Sequence, residues 1–150
     1  MDIKTFLAHA VKLELEAEKV YRVSAELFDS LNNVEAAAFF LEMAGFSHKH
    51  CEEAMRRAGF KDLTELPEAG YQWPNGTPPE SPEPVTPSAI LDGESAITVA
   101  LAAEKSAVVF YEAIAASASD PQVISMAKHF AEEEHSHVLA LERFAGLKPY

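Results

Sequence analysis

Glu134 and His137 stand three residues apart in the segment Ala131-Glu132-Glu133-Glu134-His135-Ser136-His137. On an α-helix that spacing turns the chain by about 300° and advances it by about 4.5 Å, so both side chains share one face, one turn apart. A carboxylate and an imidazole in that relation can grip a single transition-metal ion. Glu133, four residues before His137, has a usable spacing too and is the alternative carboxylate on this helix. Such a pair occurs often by chance, so its weight depends on whether the chain supplies partners.

It supplies them by repeating itself. At an offset of 90 residues Asp2 falls on Asp92, Glu14 on Glu104, Tyr21 on Tyr111 and Ala25 on Ala115. Glu14 and Glu104 thus each begin a Glu-x6-Tyr pattern, two helical turns that return the Tyr to the Glu face. At an offset of 87, Met43-Ala44 falls on Phe130-Ala131 and His50 on His137. A register that aligns Ala17-Glu18-Lys19 with Ala103-Glu104-Lys105 would make Glu18 the first-helix ligand instead. The Glu14 register is preferred because it also matches the tyrosines and the helix starts.

These residues need four helices to bring them together. Residues 3–30 contain no Pro or Gly, carry apolar side chains at largely helical spacing and follow a capping Asp2. A turn at Asn32-Asn33 leads to a second helix over 34–58, with Gly59 as its C-terminal stop and Arg56 and Arg57 at the negative end of its dipole. A third helix is expected over 92–118. Asp120-Pro121 then opens a fourth over 121–144, with Gly146 as its stop. Most of the nine prolines lie between Pro67 and Pro87, with Trp73-Pro74-Asn75-Gly76 as a turn signal. A helix pair alone has too little core to be stable, so residues 60–91 read as a long crossover within one four-helix domain spanning 1–150. A pseudo-twofold bundle would set Glu14 opposite Glu104, with His50 and His137 projecting inward from the other helix pair. Two such Glu plus Glu-x-x-His pairs are the carboxylate-rich arrangement that holds two iron or manganese ions.

The bulk composition narrows the remaining classes. Aspartate and glutamate outnumber lysine and arginine 24 to 12, and the net charge of −12 repels phosphate backbones and anionic membrane surfaces. Nucleic acid and membranes are therefore not expected partners. A single cysteine, Cys51, permits neither an internal disulfide nor a cysteine-based metal site. The N-terminus has no secretion-signal pattern and no run of about 18 apolar residues occurs, so a cytoplasmic protein is expected. His9, His48, His129 and His135 are expected at the surface, Cys51 as a small hydrophobe, and Phe39, Phe40, Phe110 and Phe130 in the core.

The duplicated hairpin, Glu14-x6-Tyr21, Glu104-x6-Tyr111 and Glu134-x-x-His137 together resemble the rubrerythrin branch of the ferritin-like superfamily, over nearly the whole chain. The resemblance implies an all-α, ferritin-like antiparallel four-helix bundle. It also implies one or two iron ions (with manganese or zinc as alternatives) and reaction with oxygen or hydrogen peroxide. The metal ligands would be Glu14, His50, Glu104, Glu134 and His137, with Tyr21 and Tyr111 hydrogen-bonding the carboxylates. The sequence departs from the family at Ser47, which stands where the repeat of Glu134 belongs. Glu53, one turn beyond His50, is a candidate substitute. Ala107 occupies the place of a further family glutamate, and no rubredoxin domain is visible, so a peroxidase would draw on a separate electron-donor protein. A homodimer is expected from the way such bundles pair. Two other readings stand beside the oxidoreductase of peroxidase or ferroxidase type. One is an iron-binding, storage-type protein; the other is a metal-free helical interaction domain, motivated by Ser47.

Overall fold

The computed structural model describes residues 1–68, 70–73 and 92–147. Its long elements are four helices, α1 (Ile3–Ser30), α2 (Val34–Ala58), α3 (Gly93–Ser117) and α4 (Pro121–Leu147), with a short 3-10 turn at Leu63–Glu65. Each start is set by an acidic or amide side chain that satisfies backbone N–H groups the helix itself cannot. Asp2 accepts from the Thr5 N–H at 2.7 Å and Asn33 from Ala36 at 3.1 Å. Asp92 and Ser95 bond reciprocally in a capping box, and Asp120 accepts from Gln122 at 2.9 Å. The α1–α2 turn uses Asn32 at φ 60°, and α2 ends on Gly59 at φ 80°, conformations that favour Asn and Gly.

Gly146 does not stop α4, contrary to its expected role. It keeps a negative φ, and the helix runs on to Leu147. A glycine ends a helix only by adopting the left-handed conformation, which Gly59 does and Gly146 does not.

The helices pair as two hairpins, α1 with α2 and α3 with α4, and α1 also lies along α3. The C-terminal half of α1 shares an apolar cluster with the N-terminal half of α3, including Val20, Phe28, Ala96 and Ala100. The N-terminal half of α1 shares a second cluster with the C-terminal half of α3, including Phe6, Leu13, Ala107 and Phe110. The two helices therefore run antiparallel, and the molecule is a four-helix bundle with a core at each end. Phe40 anchors the first core, stacked 5.3 Å from Phe28, while Phe39 stacks on Phe144 at 4.3 Å.

The described start of the crossover closes the second core. Phe60 and Leu66 are buried on it, and Tyr71 and Trp73 pack against it. The expected turn at Trp73-Pro74-Asn75-Gly76 lies outside the described residues beyond Trp73. Here the expectation for His9 is overturned: the ring is 1% exposed, within 5.0 Å of Tyr71, 4.6 Å of Trp73 and 6.0 Å of Phe110. Its Nδ1 lies 2.9 Å from the Thr5 carbonyl, and its Nε2 accepts the Gln72 N–H at 3.0 Å. Nδ1 therefore carries the proton. Helical periodicity gave no sign of this, because the groups that bury His9 come from the crossover.

Candidate metal centre

Between the two apolar cores lies a polar layer. Glu14 of α1, Glu104 of α3, and Glu134 and His137 of α4 are all buried there, with Glu104 and Glu134 each 1% exposed. His50 of α2 reaches the same layer with its side chain 21% exposed. Side-chain donor atoms fall into two sets, Glu14–His50–Glu134 and Glu104–Glu134–His137, with the atoms of each set within 4.8 Å of one another. Glu134 belongs to both. The residues singled out by spacing in four separate helices therefore meet at one place.

His50 turns Nδ1 toward Glu14, 3.5 Å from Oε1. His137 turns Nδ1 toward Glu104 Oε1 and Glu134 Oε2, each at 3.5 Å. The imidazoles stack on one another, 5.7 Å between centroids and 13° between planes. Tyr21 donates its hydroxyl proton to Glu104, across the bundle from α1 to α3. Tyr111 is fully buried beside Phe6, Phe110 and Phe130.

The electrostatics fit a site held ready for a cation. Burial pushes the Glu14 carboxyl up to about 8, with Glu104 adding to the rise and Glu134 opposing it. Burial and the charge of Glu134 hold Glu104 well above the usual carboxylate range. For His137 burial favours the neutral ring, but the contacts with Glu104 and Glu134 outweigh it and raise the group to about 11. Three buried carboxylates this close repel one another unless protons or cations intervene.

A further observation tests the fit to metal. Buried atoms with no hydrogen-bond partner include one oxygen each of Glu14, Glu104 and Glu134 and Nδ1 of both His50 and His137. Buried polar groups are nearly always paired, so five orphan donor atoms in one layer call for a ligand. Each set offers oxygen and imidazole nitrogen together, a mixture that suits iron, manganese or zinc better than calcium or magnesium. The residues present fit a metal ion in either set.

Other candidates lie apart. Glu53 pairs with Arg57 at 2.7 Å and joins neither set. Glu18 pairs with Arg22 at 2.7 Å and with His48 at 3.1 Å, also outside both sets. Ser47 is buried. Glu133 lies beyond the outer edge of the site, with Oε2 3.3 Å from Nε2 of His50 and Oε1 2.8 Å from Nε2 of His129. His48, His129 and His135 are exposed. The Cys51 thiol is raised to about 11 by burial and then by Glu14 and other nearby carboxylates.

Fold and layer together define a ferritin-like four-helix bundle with a buried carboxylate–histidine centre. No protein-family model matches the chain, and no curated protein matches it. Among solved structures, the chain is similar to one described as COG1633, an uncharacterized conserved protein from Magnetospirillum magnetotacticum MS-1. The two share 31% identity over 100% of this chain and 97% of that one, with a TM-score of 0.78. The chain belongs to the COG1633 family, a ferritin-like, rubrerythrin-type family. Among the described residues, no helix is long and apolar enough to cross a membrane.

Proposed function

We propose that this protein is a rubrerythrin-like non-haem iron protein that holds two iron ions in its bundle core and reduces hydrogen peroxide or oxygen. The observation that carries the reading is the shared position of Glu134 between two oxygen–nitrogen donor sets. One ion would sit among Glu14, His50 and Glu134, the other among Glu104, Glu134 and His137. Bound ferrous iron would supply two electrons to the oxidant, so that peroxide and two protons become two waters, and a separate donor protein would restore them.

The chain's own residues do the rest. The apolar cores above and below the layer keep bulk water from the carboxylates, which strengthens their hold on a cation. Tyr21 fixes one oxygen of Glu104 and leaves the other free. Loading would displace protons held at Glu14, Glu104 and His137, so affinity would rise with pH.

Iron content and ferrous oxidation test the reading. Protein purified from iron-replete cells should carry up to two iron ions per chain, and the ferrous form should be oxidised rapidly by peroxide. A chain that holds no iron, and takes up no ferrous, manganous or zinc ion after chelation, would instead favour a helical interaction domain in which Ser47 marks the loss of the site.

A further inference from the structure

The half of the centre built on His50 lacks a carboxylate on its own helix, because Ser47 stands where the repeat of Glu134 belongs. What meets the outer side of each imidazole comes from the opposite helix. Glu133 of α4 brings Oε2 to 3.3 Å from His50 Nε2. Phe46 of α2, the counterpart of Glu133 at the 87-residue offset, lies near-parallel to the His137 ring, 6.1 Å between centroids and 12° between planes. Equivalent positions thus give one histidine a carboxylate and the other an aromatic face.

We propose that Glu133 is a positioning residue for the ion on the His50 side, one that makes the two metal positions chemically unequal. An ionised carboxylate only accepts hydrogen bonds, so Nε2 of His50 carries the proton and the Nδ1 lone pair is left for the metal. Nδ1 is the atom that faces Glu14 and has no hydrogen-bond partner. A carboxylate behind a ligating imidazole fixes its tautomer and orientation and makes it a stronger donor. His129 holds the other Glu133 oxygen at 2.8 Å and so steadies the carboxylate from the surface side. Glu133 also completes the charge. Glu14, Glu104 and Glu134 bring three negative charges against the four positive charges of two divalent ions, and Glu133 brings the fourth one imidazole further out. Among the described residues the ion pairs of His137 are made by Nδ1, and Phe46 offers neither charge nor acceptor.

This inference rests on the two-ion reading above, and its test separates the two. Cobalt(II) is titrated into chelated, metal-free protein, followed by calorimetry and visible absorption, for the wild type, E133Q, H50A, H137A and the two double variants. The wild type should bind two ions. E133Q should weaken one of them roughly 10- to 100-fold, the usual effect of losing such an outer partner, and leave the other within about threefold. In the H137A background E133Q should weaken the remaining ion by the same factor; in the H50A background it should change it by less than about threefold. Equal weakening in both backgrounds, or unchanged binding in E133Q while the wild type binds two ions, overturns the role of Glu133 and leaves the metal centre standing. No cobalt binding by the wild type overturns both.

Discussion

Replacing Glu14 by glutamine should stabilise the protein at high pH when metal is absent, the reverse of what removing a buried polar group normally does. Glu14 is 5% exposed, and burial moves its carboxyl from the ordinary 4.5 up to about 8. Between those values the unfolded chain releases the proton and the folded chain keeps it. The metal-free protein therefore loses stability from Glu14 as pH rises from about 4.5 to about 8, with no further loss above. At pH 9 the gap corresponds to a ceiling of about 5 kcal/mol. Glutamine must still bury an amide, and Glu104 and Glu134 keep their own repulsion, so a net gain of about 2 kcal/mol is expected. For a chain of this size that is roughly 4–8 °C in Tm. At pH 5 the folded wild type already carries the proton, and the variant should lie within about 1 kcal/mol of it. Thermal melts in chelator at pH 5 and pH 9 measure the difference, and parallel melts with ferrous or cobalt ions should show the variant losing much of the metal-induced stabilisation. If Glu14→Gln instead destabilises the metal-free protein equally at both pH values, Glu14 is a structural hydrogen-bonding group and not a charge held for a cation.

Ser47→Glu should act in the opposite sense. A fourth carboxylate in the buried layer should cost metal-free protein about 3–5 kcal/mol at neutral pH and tighten binding of the His50-side ion at least tenfold; melts with and without metal check both, and unchanged affinity would show that position 47 does not face the ion. His9→Phe should free the start of the crossover by removing the acceptor for Gln72, at a local cost of about 1–3 kcal/mol, seen as faster exchange of the Gln72 amide. Burial holds the His9 imidazole below its ordinary 6.5, so its contribution is complete above pH 6.5 and is lost as pH falls through the lowered value. Fluorescence of Trp73, the only tryptophan, should report that loss in the wild type, and an identical acid profile in His9→Phe would show that another group controls it.

Much of this protein was legible without coordinates. Helix starts at Asp2, Asn33, Asp92 and Asp120 are local chemistry: a side chain of fixed reach bonds an N–H two or three residues on, and the sequence contains both partners. The internal repeat carried the larger inference. Once Glu14 aligns with Glu104 and His50 with His137, a pseudo-twofold bundle brings all four together, because 3.6-residue periodicity fixes which face each occupies. Gly146 shows the limit of local signals, since whether a glycine turns left-handed depends on what the chain does next.

What the sequence could not settle depended on contacts between residues far apart in the chain. That Glu14 rather than Glu18 enters the buried layer depends on α2, where His48 meets Glu18 at 3.1 Å. His9 is buried because a crossover more than sixty residues away folds back over it. Glu133, read from spacing as an alternative to Glu134, lies 3.3 Å from a histidine on another helix. Spacing along one helix determines which residues share a face, and so which side chains the four helices could bring into one layer. The partner each face meets is set by how helices pack side by side, and that packing added Glu133 and Phe46 to the difference that Ser47 already made between the two halves.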